Sequence, residues 1–266
     1  MKDETRAVIR GYRFAFDLFR ADPSSRYVVR RDNTHYFFGV DHPLYNGAYA
    51  TRLGRDASRR VDEVLDVFRR AGVSATWHVD PGTRPRGLGR LLRLKGLSDG
   101  GSTPGMTLVL RRRRRLPDAG DVTVREACGG AALARWNDVY CRVFGFDERL
   151  RDGVRDSYRA ILARRPGAMK LYVASRRGRA AGCAMLTLDG RLAGLWAIGV
   201  LDGVRRRGLG LALTQRCLDD AERAGCRLAM LGASEQGYGL YRKLGFRAAC
   251  RMRQYVYSPP RTPAAR

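Results

Sequence analysis

The sequence predicts an α/β fold in two domains, each with a central, mostly antiparallel mixed sheet flanked by helices. Three observations support this fold class. Strand-like and helical segments alternate along both halves of the 266 residues, a basic break separates the halves near Arg111–Gly120, and the order of elements in the second half recurs in the first. The predicted domains are residues 1–115 and 116–266.

The break between the halves is the stretch RRRRRLPDAG at Arg111–Gly120. A strand-like run at Met106–Leu110 leads into five arginines, and a Pro-Asp-Ala-Gly turn signal follows them. The arginines have two interpretations, which the sequence leaves open. They are either a solvated linker or a basic rim that draws in an anionic ligand.

The second half has a clear order of elements. It begins with a strand at Val122–Ala127 and a helix at Ala131–Phe144, and a second helix over Glu148–Arg164 stops before a proline. The elements that follow are strands Lys170–Ser175, Ala181–Leu188 and Arg191–Val200, a helix that ends at Gly225, a strand at Arg227–Leu231, a helix at Gln236–Leu244 and a strand at Arg251–Tyr257.

The loop LDGVRRRGLG opens the helix that ends at Gly225. The first amides of a helix lack intrahelical acceptors and carry partial positive charge, so a pyrophosphate can bind there. Gly208 and Gly210 remove side chains that would keep these amides from the phosphates. The arginines at 205–207 add charge, although not all three can point at one ligand. The alternative is a plain arginine-rich turn.

A strand ending in Val200, the R-x-x-G-x-G loop with its helix, a strand and then LYRKLGF resemble the GCN5-related N-acetyltransferase (GNAT) superfamily over roughly Val122–Tyr257. The resemblance implies acetyl-CoA as co-substrate, acyl transfer to an amine, and a splayed strand whose free backbone groups pair with the pantetheine arm and polarise the acetyl carbonyl. The implied cofactor-binding residues are Ile198, Gly199, Val200, Arg205, Arg206, Arg207, Gly208, Leu209, Gly210 and Ser234. Ser234 could instead serve only as a helix N-cap.

Tyr241, in LYRKLGF, occupies the general-acid position of the family. Full proton transfer from a phenol with a pKa of about 10 to a thiolate with a pKa of about 8.5 is uphill by roughly 2 kcal/mol. A hydrogen bond to the developing thiolate can still speed its departure. The alternative is a tyrosine packed for its ring.

The strand Gly194–Val200 lacks the glutamate with which many relatives deprotonate the amine. An alkylamine with a pKa of about 10.4 must lose its proton at a cost of about 4.6 kcal/mol at pH 7 before it can attack. The sequence leaves three solutions open: a base elsewhere, a water relay, or an acceptor amine of lower pKa. The candidate bases are Asp147, Glu148, Asp152 and Glu235.

The resemblance also indicates which residues border the acceptor site. Trp136, Phe144 and Asp147 lie where the first helix and loop of the family approach the acceptor amine. For Trp136, a position in the hydrophobic core is the alternative.

The first half resembles the tandem GNAT proteins in which one domain has lost its cofactor loop. The helix predicted over Asp56–Ala71 corresponds to the one after RRRGLG, yet no R-x-x-G-x-G precedes it. A similar string, RPRGLG at Arg84–Gly89, comes one element too late, and Pro85 removes an amide donor. Leu92 stands where Tyr241 does. We therefore expect one cofactor site, in the second half.

Composition limits the remaining classes. The formal net charge is +25, and only four of the 51 basic residues are lysines. This skew suggests a GC-rich bacterial genome, and the charge predicts nonspecific nucleic-acid binding at low salt. Six cysteines without C-x-x-C spacing indicate reduced thiols and a cytoplasmic location. Neither metal-ligand spacing, nor a membrane segment, nor a signal peptide is apparent, and we expect a monomer or homodimer.

The prediction for function is an acetyl-CoA-dependent N-acetyltransferase that transfers acetyl directly to the amine of a small molecule. The alternatives are a protein N-terminal or lysine acetyltransferase and a non-catalytic CoA-binding or nucleic-acid-associated protein.

Overall fold

The computed structural model describes residues 1–38, 40–117 and 120–260. Asp118 and Ala119 of the predicted break lie outside the described residues. The chain forms two compact units. Unit 1 contains Met1–Pro23 and Pro104–Cys250, and unit 2 contains Ser24–Thr103 and the chain from Arg251 onward. These units do not coincide with the linear division into residues 1–115 and 116–266.

Helices and strands alternate through most of the chain. The α-helices are α1 (Asp3–Leu18), α2 (Ala57–Ala71), α3 (Leu88–Leu94), α4 (Gly130–Phe144), α5 (Arg151–Arg164), α6 (Leu209–Arg223) and α7 (Glu235–Leu244). The strands are β1 (Arg26–Val29), β2 (Thr34–Phe37), β3 (Asn46–Tyr49), β4 (Ala75–Val79), β5 (Ser98–Val109), β6 (Val122–Glu126), β7 (Met169–Arg176), β8 (Arg179–Asp189), β9 (Leu192–Val200), β10 (Leu228–Gly232) and β11 (Arg247–Tyr257). This mixed α/β content confirms the predicted fold class.

The sheet of unit 1 runs in the order β5-β10-β9-β8-β7-β6. Neighbouring strands in this sheet are antiparallel except β9 and β10, which are parallel and joined by the crossover helix α6. Leu213 of α6, Leu244 of α7 and Phe246 are almost fully buried in the core that these helices form with the sheet. The packing fixes the first turn of α6 at the carboxyl end of β9.

The sheet of unit 2 runs in the order β1-β2-β3-β4-β11. Here β3 and β4 are the parallel pair, and α2 is their crossover. Val61, Leu65 and Phe68 bury one face of α2 against the core, at the i, i+4, i+7 spacing of an amphipathic helix. Unit 2 therefore repeats the strand–helix–strand order of β9, α6 and β10, as the sequence comparison of the two halves predicted.

The two units differ from the sequence halves because each contains a strand from the other half. In unit 1, β10 pairs with β5, and Leu108 faces Ala229. In unit 2, β4 pairs with the last part of β11, and Trp77 faces Tyr255. Strands pair by register and burial rather than by order in the chain, so hydrophobic patterning alone does not show this exchange.

Helix α1 was not predicted from the sequence, although its pattern was there to find. Asp3 and Glu4 lie in its first turn, where acidic residues favour a helix, and Val8, Ile9 and Ala15 are buried on one face. A Cβ at Gly11 would lie 2.6 Å from the Met230 sulfur, so the helix packs very closely on β10. Helix α1 therefore belongs to the core of unit 1.

Candidate functional site

The first feature of the site is a divergence of the parallel strands in unit 1. Pairing between β9 and β10 covers only Leu192–Leu195 and Leu228–Leu231, yet β9 continues to Val200. Ala197 has a φ of 50°, and the β8–β9 register shifts beside it, so β9 carries a bulge. The last five residues of β9 thus have no ladder with β10 on that side among the described residues. This is the splayed strand that the resemblance implies.

The loop before α6 leaves several backbone amides without an acceptor. Arg206 and Gly208 both have left-handed backbone, with φ of 57° and 85°. The first amide of the helix with a backbone acceptor is that of Ala212, which donates to Gly208 O at 2.9 Å. The structure records no acceptor, within the described residues, for the amides of residues 206–211. Three of these amides belong to the loop and three to the first turn of α6, and N–H groups without acceptors at a helix start are able to bind an anion.

The two glycines of this loop, Gly208 and Gly210, have different structural roles. Gly208 adopts a backbone conformation that costs other residues of order 1–2 kcal/mol. At Gly210 a Cβ would make only ordinary van der Waals contact, at 4.0 Å from the Leu240 and Val200 side chains. Gly208 therefore sets the course of the chain, whereas the position of Gly210 has room for a small side chain.

The three loop arginines do not point the same way. Arg205 turns back on its own loop, where Nε donates to Val200 O at 3.2 Å and the guanidinium pairs with Asp202. This contact occupies one of the backbone groups that was expected to be free at the end of β9. Arg206 and Arg207 are exposed and form no ion pair with any described residue. Two arginines are therefore left to face an anion at the α6 N-terminus.

Tyr241 lies in the core-facing stripe of α7, with a ring contact to Phe246 and only 7% of its surface exposed. Burial raises the pKa of Tyr241 to about 12, so the phenol stays protonated throughout the physiological range. Its hydroxyl has no hydrogen-bond partner within the described part of the chain. The neutral phenol can therefore donate a hydrogen bond, while its raised pKa makes full proton transfer to a thiolate less favourable than at the usual value near 10.

Ser234 caps α7. Its Oγ accepts a hydrogen bond from the Gly237 amide at 3.2 Å, and its backbone is extended, as N-cap residues usually are. The serine is exposed, so one lone pair and the hydroxyl proton remain available. The cap interpretation is therefore realised, and a contact with the pantetheine arm stays a prediction.

The other end of α7 closes in a left-handed turn at Gly245. Gly245 has a left-handed φ of 103°, and the amide of Phe246 donates to Tyr241 O at 3.0 Å. This turn directs the chain into β11 and brings the Phe246 ring against Tyr241.

The predicted acceptor-side residues take different positions. Trp136 is fully buried, donates from Nε1 to Ala184 O at 3.1 Å and stacks on Tyr140. The structure thus gives it a core position, which was the alternative in the sequence analysis, and not a surface on which a substrate could bind. Phe144 is 38% exposed, and its ring comes within 3.4 Å of a Cβ position at Gly199. Of these two, Phe144 borders the splayed end of β9.

Asp147 is a poor candidate for a general base. Its carboxylate accepts from the backbone and side chain of Arg149, and these hydrogen bonds lower its pKa to about 2. Glu148 and Asp152 are at least three-quarters exposed and lie beside Arg151 and Arg155. Neither has the enclosed setting that would raise its basicity.

Glu235, the fourth candidate, lies exposed in the first turn of α7. None of the four candidates is thus a buried carboxylate. A water relay and an acceptor of lower pKa stay open as ways to free the amine.

The sequence analysis did not name two aromatic residues, Trp196 and Tyr12, that lie where β9 begins to diverge from β10. Trp196, the first residue of β9 beyond its pairing with β10, meets Tyr12 of α1 edge-on, with ring centroids 4.8 Å apart. Its indole donates to Thr187 Oγ1 at 2.9 Å, which fixes the ring. The tryptophan was visible in the strand pattern, but the role of Tyr12 depends on α1, which was not predicted.

Comparison with known proteins agrees with this geometry. A family model of the acetyltransferase (GNAT) domain matches residues 107–239. The chain belongs to the GNAT superfamily of acetyltransferases, and the splayed β9, the α6 loop and Tyr241 all lie in or directly beside the matched region. No curated protein sequence is significantly similar to the chain.

Solved structures show the same fold at low sequence identity. The chain is similar to a GCN5-related N-acetyltransferase from Kribbella flavida, with 17% identity, a TM-score of 0.67 and coverage of 96% of this chain and 97% of that one. A tandem GNAT protein from the clavulanic acid biosynthesis pathway has 16% identity, a TM-score of 0.57 and coverage of 95% and 96%. A GCN5-related N-acetyltransferase from Sphaerobacter thermophilus has 17% identity, a TM-score of 0.59 and coverage of 86% and 81%.

No helix in the described residues has the length and hydropathy needed to span a membrane. Within the same residues, His, Cys, Asp and Glu side chains do not gather in a group of three that could hold a metal ion.

Proposed function

We propose that this protein is an N-acetyltransferase that uses acetyl-CoA and acetylates the amine of a small molecule. The observation that carries the proposal is the run of six amides at residues 206–211 without acceptors, next to a strand that splays from its parallel neighbour. A pyrophosphate suits the amides, and the free edge of β9 suits the amide groups of a pantetheine arm. Arg206 and Arg207 supply opposite charge.

The chemistry assigned to the site is direct transfer. The neutral amine nitrogen attacks the thioester carbonyl, and a backbone N–H of β9 stabilises the oxyanion of the tetrahedral intermediate. The C–S bond then breaks while Tyr241 Oη donates a hydrogen bond to the departing thiolate, the nitrogen loses its proton to solvent, and the thiolate takes up a proton from solvent. The products are an amide and free CoA thiol.

An amine of lowered pKa fits this site best. The four candidate carboxylates are exposed or held at low pKa, so none of them is well placed to take the proton from the amine. The free-energy cost of deprotonation is then small only if the acceptor amine has a low pKa. An α-amino group with a pKa of about 8 costs roughly 1.4 kcal/mol at pH 7, against about 4.6 kcal/mol for an alkylamine. An amino acid derivative therefore ranks above a polyamine as the acceptor.

Acetyl-CoA binding tests the cofactor site. We expect acetyl-CoA at 100 times its Kd to stabilise the wild type by about 2.7 kcal/mol, measured as a thermal shift. Gly208→Asp should abolish the shift, because it strains the loop and repels phosphate. Gly178→Asp is the matched control, since Gly178 has the same left-handed backbone (φ 76°) in the β7–β8 turn. A wild type that shows no shift would refute the proposal.

Tyr241→Phe tests catalysis apart from binding. Turnover should fall by about 10²-fold, the usual range for a lost general acid, while the acetyl-CoA shift stays as in the wild type. Tyr238→Phe, the same deletion one turn earlier in α7, should retain turnover within about twofold. Free-thiol release over a panel of amines identifies the acceptor. Activity on proteins alone would favour the protein acetyltransferase, and binding without turnover on any amine would favour a CoA-binding sensor.

The setting of the enzyme is part of the proposal. All six cysteines are free thiols, and four of them are buried, which fits a reducing compartment such as a bacterial cytoplasm. Whether the chain works as a monomer or a homodimer stays a prediction.

A further inference from the structure

A second basic feature of unit 1 lies away from the α6 loop. A cleft of about 720 Å³ opens where β10 begins, at Leu228, between the end of β5 and the start of β11. The N-terminal end of α1 contributes its N-cap Lys2 and Thr5 to the wall. The α6 loop lies at the opposite, carboxyl end of the parallel pair β9 and β10. The cleft is therefore separate from the proposed acetyl-CoA site.

The arginine run at residues 111–115 supplies part of this cleft. Its backbone is extended at Arg113 (φ −65°, ψ 148°), directly after a short 3₁₀ turn at Leu110–Arg112. Arg113 and Arg115 both pair with Asp219 of α6, at 2.6 and 2.7 Å. Arg112 and Arg114 line the cleft instead. The run is thus neither a uniform linker nor a uniform rim, since its two faces have different partners.

The charge in the cleft is strongly unbalanced. Five basic side chains line it against one acidic side chain, Glu4. The five are Lys2, Arg112, Arg114, Arg242 and Arg247. None of them forms an ion pair with another described residue, whereas the neighbouring Arg113 is 10% exposed and bridges two carboxylates. Like charges held together in a concave site favour a bound anion.

Apolar residues also line the cleft, and of these Val109 is 38% exposed. Leu108, Val109, Leu228 and Phe246 contribute to its lining. A volume of about 720 Å³ is typical of a pocket for a ligand of nucleotide or drug size. Guanidinium groups bind phosphate oxygens in a bidentate manner, and the partly exposed Val109 and Leu228 offer apolar contact to a base or ring.

We infer that this cleft binds a small organic phosphate that carries an apolar or aromatic group, of the class of nucleoside monophosphates. The inference does not depend on the proposed acetyltransferase function. A cleft of about 720 Å³ suits a compact ligand, whereas a nucleic-acid backbone would follow a longer basic stripe.

Adenosine monophosphate is the probe, titrated by calorimetry at 150 mM salt into the full-length protein. We expect it to bind to the wild type and to Gly208→Asp, in which the α6 loop is disabled. The double variant Arg112→Ala/Arg247→Ala should weaken binding by about tenfold or more, in keeping with the loss of charge-assisted hydrogen bonds. Arg125→Ala/Arg135→Ala is the matched control, because both arginines are exposed, unpaired among the described residues and outside the cleft.

Each other outcome overturns the inference. Binding that is lost only in Gly208→Asp would place the nucleotide in the cofactor site, and equal losses in the two double variants would show a general effect of net charge. If inorganic phosphate binds as tightly as adenosine monophosphate, the cleft does not recognise the organic group of the ligand. Binding of a single-stranded oligonucleotide but not of the mononucleotide would identify a nucleic-acid surface instead.

Discussion

Individual residues in this protein are defined by what surrounds them. Tyr241 and Trp136 are both buried aromatic residues, yet the hydroxyl of Tyr241 has spare donor capacity while the indole of Trp136 is committed to Ala184 O. Arg205 and Arg206 are adjacent and chemically identical, but only Arg205 is tied to Val200 O and Asp202. Function therefore depends on which polar atoms are left without an internal partner.

The pKa of Tyr241 leads to a prediction for the pH profile. Because burial raises this pKa to about 12, the phenol stays protonated well above the usual value near 10. With an acceptor amine of low pKa, turnover should not fall between pH 8 and pH 10.5. Stopped-time assays of thiol release check this. An alkaline loss centred near pH 10 that disappears in Tyr241→Phe would contradict the assigned environment.

His78 gives unit 2 a pH-dependent stability. It is buried in β4 beside the Tyr36 hydroxyl, and burial lowers its pKa to about 4. Since the unfolded histidine has a pKa of about 6.5, this group stabilises the fold fully above pH 6.5, and the contribution is lost as the pH falls toward 4, by about 3 kcal/mol. Urea denaturation between pH 7 and pH 4 measures the loss.

The control for this effect is His78→Gln, whose amide can still meet the Tyr36 hydroxyl but does not titrate. Its free energy of unfolding should fall less steeply over the same range than that of the wild type. Parallel curves for the two proteins would show that His78 is not the titrating group.

At the scale of elements, the site is made by one strand end and two helix starts. The bulge at Ala197 and the short pairing of β10 separate the strands, and the loop before α6 presents its amides. Helix α7 positions Tyr241 and is capped by Ser234 at one end and by Gly245 at the other. The stability of α7 therefore controls the position of the proposed acid.

Substitution of the α7 cap separates its two possible roles. Ser234→Ala should destabilise the protein by about 1 kcal/mol, the usual cost of a lost N-cap, and Ser234→Asp should restore that stability because aspartate caps equally well. If Ser234 also contacts the pantetheine arm, the KM for acetyl-CoA rises in both variants. Thermal denaturation and steady-state kinetics give the two readouts. An alanine variant as stable as the wild type would refute the cap.

For the whole molecule, the segments that make up each unit decide which fragments of the chain can fold. One of the two strands that pair with β10 is β5, which comes from the first half of the sequence. Helix α1, from the same half, also packs in unit 1. The boundary at residues 115 and 116 therefore cuts a core that contains the fully buried Met106 and Leu108 at 3% exposure.

A fragment of residues 116–266 tests this composition. Without β5 it exposes the edge of β10, and without α1 it exposes the sheet face around Met230. We expect the fragment to aggregate or to lack a cooperative thermal transition. Circular dichroism and calorimetry measure this against the full chain. A fragment that melts cooperatively and binds acetyl-CoA would support the linear domain boundary.

Much of the fold could be predicted because it is encoded locally. The helices α2, α4, α6 and α7 follow from hydrophobic periodicity and from glycine stop signals, and each is present within a few residues of its predicted bounds. Helix α1 was not predicted, although its acidic first turn and apolar face carry the same kind of signal. Strand partners were harder, because β5 and β11 pair with strands that are distant in sequence.

The sequence by itself determined the family, the α6 loop and the single tyrosine in LYRKLGF, because these are short motifs whose physics is local: amides at a helix start, glycine where φ is positive, and a turn after the helix. Tertiary structure decided which groups stay available. It buried Trp136, tied Arg205 to Val200 O, divided the arginines at 111–115 between α6 and the cleft, and exchanged the last strands of the two units. Those outcomes depend on contacts between residues far apart in the chain, which no local pattern specifies.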